Sequence, residues 1–172
     1  MRRAFLSVCG VGYLKPAPGT WGSMAAFPLA WLILAIGGPF TFVAAILLVS
    51  FWGIQAIARE MEESGAHDPG WIVIDEVAGQ WIALLPVAFG AWSTGLTVTE
   101  LWPGIVTAFA AFRLFDIWKP WLVGRADRRD DATGVMLDDI WAGIFAACVV
   151  IILATLAHGS IAILGSNLPA PG

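Results

Sequence analysis

The sequence predicts an all-α, polytopic membrane bundle of four to five helices, built as a single domain over residues 1–172. Three observations carry that expectation. Hydrophobic residues make up 59% of the chain and charged residues only 13%, with mean hydropathy +0.80; a soluble domain carries about 25% charge. Five apolar segments can be drawn, several near the roughly 20 residues that a spanning helix needs. The nine Lys and Arg residues all fall on one side when five spans are threaded.

The first segment, residues 23–37, is short and contains Pro28, so it is expected to be re-entrant or tilted. Gly37-Gly38-Pro39 turns it back on the second, residues 41–58. Segments 71–92 and 101–118 are long enough to span, and 140–156 is adequate with its flanks. Met1-Arg2-Arg3 followed by an apolar stretch resembles a signal peptide only superficially. Lys15 and the Pro and Gly residues after it leave the apolar run too short, so the N-terminus is expected to be retained. Residues 167–172 read as a loose tail.

With the N-terminus in the cytoplasm, Arg2, Arg3, Lys15, Arg59, Arg113, Lys119, Arg125, Arg128 and Arg129 lie at or near the cytoplasmic side. Of the thirteen acidic residues, only Glu100 falls on the opposite side. The net charge of -4 gives no reason to expect a nucleic-acid partner. Homo-oligomerisation is left open. Cys9 and Cys148 are the only cysteines and have no metal-ligand spacing.

The chemistry sits where acid meets apolar sequence. Asp75 and Glu76 head the third segment, Asp116 closes the fourth, and Asp138 and Asp139 open the fifth. Ionised groups at the margin of hydrocarbon are costly and mark function. Asp75, Gly79 and Ala83 share a helix face, as do Asp139, Gly143 and Ala147. Small residues below each carboxylate allow close approach of another helix. Helix capping would need one acid; two adjacent acids, used twice, exceed that need.

An oxygen-rich cluster without His or Cys suits a hard cation, and Mg²⁺ is the one expected with phosphate substrates. Its candidate ligands are Asp75, Glu76, Asp116, Asp138 and Asp139. Arg113 shares a face with Asp116, three residues apart, and Lys119 follows at the membrane boundary. Anchoring by the positive-inside rule would suffice for Lys119 alone, but not for Arg113 inside an apolar run. Gly19, Thr20 and Ser23 at the entry to the first helix form a candidate anion seat of backbone N–H groups and hydroxyls. His67, in the loop ahead of Asp75, is a minor candidate. No nucleophile elbow, Walker loop or phosphoaspartate motif is present, and Cys9 lacks the arginine of a thiol-phosphatase cradle.

Four stretches taken together carry a resemblance. They are Pro18-Gly19-Thr20-Trp21-Gly22-Ser23, then His67-Asp68 through Asp75-Glu76-x-x-Gly79, then Phe112-Arg113-x-x-Asp116-x-x-Lys119-Pro120-Trp121, and finally Gly134 through Asp138-Asp139-Ile140-x-Ala142-Gly143. In this order they resemble the bacterial phosphatidylglycerophosphatase A family. Leu122, where the family often has Pro, and the approach Asp131-Ala132-Thr133-Gly134, where it tends to be Gly-rich, depart from its pattern. The resemblance implies an all-helical fold and Mg²⁺-dependent hydrolysis of phosphatidylglycerophosphate to phosphatidylglycerol and phosphate. With the orientation read from the basic residues, the protein is expected in the bacterial inner membrane with its site facing the cytoplasm. Asp75, Asp116, Lys119 and Asp139 are then the expected catalytic groups, and Gly19, Thr20, Ser23, His67, Arg113 and Lys119 would contact substrate. The alternative is a small cation- or proton-coupled transporter using the intramembrane acids, although transporters place such groups nearer the midplane. A CDP-alcohol phosphotransferase is disfavoured, because its Asp-Gly-x-x-Ala-Arg signature is absent.

Overall fold

The computed structural model describes residues 1–66 and 69–166, with side chains described as far as Ala157. His67, Asp68 and the tail 167–172 lie outside the described residues. Among the described residues there are six α-helices and no strand: α1 (Arg2–Leu6), α2 (Pro18–Ser64), α3 (Ile74–Thr94), α4 (Trp102–Trp118), α5 (Leu122–Asp127) and α6 (Ala132–Ser166).

α2 consists of two helical arms, and Gly38 (φ 67°, ψ -168°) breaks the helical geometry between them. Only glycine adopts that backbone without a Cβ penalty. The break is a reversal. Gly19 and Gly22 near the start of the first arm lie against Glu76 and Val73, and Gly53 in the second arm lies against Ile74, so both arms return to the head of α3. Phe40, just past the break, packs edge-on against Phe89 and Trp92 at the far end of α3. The first arm therefore runs the length of the bundle and is not re-entrant. At 1.5 Å per residue it is about 30 Å long, the thickness of the hydrocarbon core. It begins at Pro18 rather than residue 23, because Pro at the first helical position is preorganised for the helix.

Among the described residues, three helices are long and apolar enough to cross a membrane: Pro18–Ser64, Val98–Trp118 and Ala132–Ala157. α3, with Asp75, Glu76 and Gln80 near its start, is less apolar and is not among them. It nevertheless runs the length of the bundle, from Glu76 against Gly19 to Phe89 and Trp92 against Phe40, and α2, α4 and α6 all pack on it, so it sits at the centre. Trp81 fixes the first arm to it, donating its indole N–H to the Ala26 carbonyl (2.8 Å) and meeting Phe42 of the second arm at 5.5 Å.

The closest seam joins α3 to α6. A Cβ on Gly143 would collide with the Gly79 carbonyl oxygen, and one on Gly79 would come within 2.5 Å of the Asp139 carbonyl oxygen and the Phe112 ring. Backbone-to-backbone contact of this kind is the means by which small residues bring membrane helices together.

α6 starts at Ala132, eight residues before the expected segment. Asp131 caps it, its carboxylate accepting the Gly134 N–H at 2.7 Å while also binding Arg129. Asp138 and Asp139 consequently lie well inside the helix, not in its first turn, and the dipole of α6 does not end at them. α5, opening at Leu122, is a short helix between α4 and α6. At the N-terminus, Arg2 and Arg3 clasp the buried Glu60 at 2.7 and 2.9 Å, tying α1 to the end of α2.

Candidate active site

The start of α2, the start of α3, the end of α4 and the second turn of α6 meet at one end of the bundle. Asp75, Glu76 and Asp139 each place a carboxylate oxygen within 4.8 Å of the others. Asp75 and Asp139 are buried, at 6% and 4% exposure. Close approach at Gly79 and Gly143 is what allows this, since any side chain there would hold the two carboxylate-bearing helices apart.

The other two expected metal ligands are engaged differently. Asp116 pairs with Arg113 at 2.5 Å, and Asp138 accepts a hydrogen bond from Lys119 at 2.9 Å. Lys119 also binds Asp127 of α5, a partner that sequence reading missed. Nothing in the sequence signals Asp127, because only the turn at Lys119, Pro120 and Trp121 brings it back. Burial works against the Lys119 charge, but the hydrogen bonds to Asp127 and Asp138 outweigh it and hold the pKa above the usual lysine range. It is a fixed cation at the site's edge.

Gly19 stands directly against Glu76 Oε1, and the Cβ it lacks would lie 3.2 Å from Arg113 Nη1. Arg113 also reaches the Ser23 hydroxyl at 3.4 Å, and Ser23 donates to the Gly19 carbonyl at 2.8 Å. Ala17, the residue before α2, provides no side-chain cap, and the first intrahelical bond runs from the Trp21 N–H to its carbonyl. The N–H groups of Gly19 and Thr20 are therefore among the unpaired donors of a helix start. The structure thus brings Gly19, Thr20, Ser23, Arg113, Asp116, Lys119 and the four carboxylates of α3 and α6 to one place, while His67 lies outside the described residues.

Among the described residues, several buried polar atoms here have no hydrogen-bond partner: Glu76 Oε2, Asp139 Oδ1, Arg113 Nε and both amide atoms of Gln80. Gln80, one turn beyond Glu76, was not anticipated; a lone Gln in an apolar run is its only sequence signal. Unpaired buried carboxylate oxygens are expensive, and a cation beside them offsets that expense. Arg113 and Lys119 form their ion pairs with Asp116, Asp138 and Asp127 instead. The donor set of Asp75, Glu76 and Asp139 is all oxygen, which fits Mg²⁺.

Apolar helices closed around a carboxylate cluster, flanked by two fixed cations and a helix N-terminus, define a membrane protein with a centre for an anionic, phosphate-like ligand. The family model for Phosphatidylglycerophosphatase A matches residues 4–154, and the chain belongs to that family. A Phosphatidylglycerophosphatase A of Haemophilus influenzae is 36% identical over 142 residues, covering 82% of this chain and 81% of the relative. One of Escherichia coli is 32% identical over 140 residues, covering 80% and 74%. A relative from Bacteroides thetaiotaomicron named Putative phosphatidylinositol-3-phosphatase is 36% identical over 142 residues, covering 79% and 82%. No solved structure matches the chain.

Proposed function

We propose that this protein is a Mg²⁺-dependent lipid phosphatase, hydrolysing phosphatidylglycerophosphate to phosphatidylglycerol and phosphate at the cytoplasmic face of the bacterial inner membrane. The observation that carries the reading is the pair of buried, unpartnered oxygens Glu76 Oε2 and Asp139 Oδ1 beside Asp75, with Arg113 and Lys119 on the rim. The relatives' names supply the substrate.

Asp75, Glu76 and Asp139 would hold the metal. When bound, it would draw charge from the phosphate oxygens and acidify water. Arg113 and Lys119 neutralise the charge that develops on the transferring phosphoryl group, and the Gly19 and Thr20 N–H groups donate to its oxygens. Asp116 and Asp138 hold those two cations in place. A carboxylate of the cluster takes the proton of the attacking water as the new P–O bond forms and passes it to the lipid oxygen as the old P–O bond breaks, so phosphatidylglycerol leaves with a free hydroxyl. The positive end of α3 points at the same spot, because Asp75 and Glu76 lie in its first turn.

Phosphate release from a panel containing phosphatidylglycerophosphate and phosphatidylinositol 3-phosphate, with and without Mg²⁺, tests both substrate and metal. Release should be fastest from phosphatidylglycerophosphate and should vanish in chelator. Undiminished turnover in excess EDTA would falsify the metal requirement. The double replacement Cys9→Ser, Cys148→Ser should keep activity within about two-fold, because both thiols are exposed and neither belongs to the carboxylate group. A folded but inactive double variant would point to a thiol mechanism instead.

The cytoplasmic placement rests on the one-sided distribution of Lys and Arg. In the cysteine-free background, an impermeant thiol reagent applied to intact cells should label a cysteine at Ser93 and spare one at Ser64. Equal labelling at both positions would defeat this orientation. The transporter alternative calls for acids along a path through the bundle, whereas Asp75, Glu76 and Asp139 cluster at one end.

A further inference from the structure

We infer that the groove lined by Phe115, Trp118, Lys119, Pro120, Trp121 and Phe145 seats the glycerol backbone and acyl chains of the lipid whose phosphate enters the carboxylate site. This rests on the lipid-phosphatase reading above and adds where the lipid lies. The groove has a volume of about 590 Å³. Its walls are aromatic, with Phe115 of α4 meeting Phe145 of α6 edge-on at 5.7 Å. Its one charged lining residue is Lys119, whose ammonium binds Asp138, the neighbour of Asp139. The groove and the phosphate site therefore share a residue, and a lipid entering between α4 and α6 would meet a cation where its apolar part ends.

The backbone gives an independent reason. Lys119 (φ 51°, ψ 53°) and Trp121 (φ 45°, ψ -106°) both hold positive φ without being glycine. A side chain with a Cβ is strained in such a backbone, and such strain clusters at functional sites. Packing does not account for Trp121, which is 86% exposed. The turn is nonetheless firmly built. The Lys119 N–H donates to the Phe115 carbonyl at 2.8 Å and the Val123 N–H to that of Pro120 at 3.0 Å. A Cβ on Gly124 would sit 2.5 Å from the Lys119 carbonyl oxygen, so α5 presses directly on the turn. One strained turn thus sends the Lys119 ammonium inward to Asp138 and leaves the Trp121 ring beside the groove. An interfacial anchor could use any backbone that reaches the membrane surface; a strained turn coupled to a site cation fits a substrate seat.

Two measurements test the seat. The first compares dioleoyl and dihexanoyl phosphatidylglycerophosphate in mixed micelles. Trp121→Ala and Phe145→Ala should raise KM for the dioleoyl lipid by about ten-fold, with kcat within about two-fold, and change KM for the dihexanoyl lipid by less than about three-fold; each aromatic contact removed is of this order. Trp92→Ala, at the opposite end of the bundle and 61% exposed, should leave both unchanged. Equal KM effects on the two lipids, or none, would overturn the proposal. The second needs no turnover. In lipid nanodiscs with EDTA, a phosphatidylglycerophosphate carrying a diazirine on one acyl chain should crosslink to peptides containing Phe115 to Trp121 and Phe145. Unlabelled phosphatidylglycerophosphate should compete and phosphatidylcholine should not. Crosslinks spread over all lipid-facing helices would sink the seat even if the phosphatase reading stands. Site-specific crosslinks from a protein that releases no phosphate would sink the phosphatase reading and leave the seat.

Discussion

Asp139→Asn is expected to lower phosphate release from phosphatidylglycerophosphate by roughly 100-fold or more, whereas Glu100→Gln should stay within about two-fold. Each change removes one negative charge, so their difference isolates position. Asp139 is buried, shares the oxygen cluster with Asp75 and Glu76, and holds an unpartnered oxygen. Asn keeps its size and one oxygen but loses the formal charge that holds a hard cation against water. If Asp139 merely capped α6, Asn would serve about as well. The fold removes that explanation, because α6 is capped by Asp131 and Asp139 lies two turns further on. Glu100 is at the other end of the bundle, in a capping box with Thr97. Gln serves in such a box too. The measurement is phosphate release at matched folded protein over a range of Mg²⁺ concentrations. Near-wild-type rates for Asp139→Asn at limiting Mg²⁺ would remove this residue from the site.

Gly143→Ala should be nearly as damaging, although it adds one methyl group and no charge. In an ordinary helix interior, Gly→Ala stabilises by roughly 0.5–1 kcal/mol. At Gly143 the new Cβ would collide with the Gly79 carbonyl, a backbone atom that no rotamer change can move aside. α6 must then shift from α3, and overpacking of this kind costs about 1–3 kcal/mol. The function suffers more than the stability. α3 carries Asp75 and Glu76, α6 carries Asp139, and a displacement of about 1 Å between reacting groups can cost on the order of 100-fold in rate. Gly90→Ala, on α3 but with only Leu101 at an ordinary 3.6 Å, should be neutral or slightly stabilising. Thermal unfolding in detergent and phosphate release would be measured for both variants. A Gly143→Ala protein as stable and active as Gly90→Ala would mean the seam does not set the spacing of the carboxylates.

The apolar segments, the all-helical class and the positions of the acids were legible in the sequence because each depends on local composition. A run of hydrophobic residues near 20 long reports a helix in hydrocarbon whatever its neighbours are. Ionisable residues at the ends of such runs stand out for the same reason. The reversal at Gly37-Gly38-Pro39 was legible as well, since only Gly38 tolerates the backbone found there. The small residues below Asp75 and Asp139 announced a close seam, and Gly79 against Gly143 is that seam.

What only the tertiary structure decided is which charges face which. Five acids looked equivalent along the chain. Packing puts Asp75, Glu76 and Asp139 together and gives Asp116 to Arg113 and Asp138 to Lys119. Adjacent residues on a helix point about 100° apart, so Asp138 and Asp139 must meet different neighbours, and the identity of those neighbours is set by where α4 and α5 lie. Asp127 reaches Lys119 only because of the turn at Pro120 and Trp121. The central place of α3 was hidden for a related reason. Hydropathy reports how apolar a helix is, whereas burial depends on how many other helices surround it.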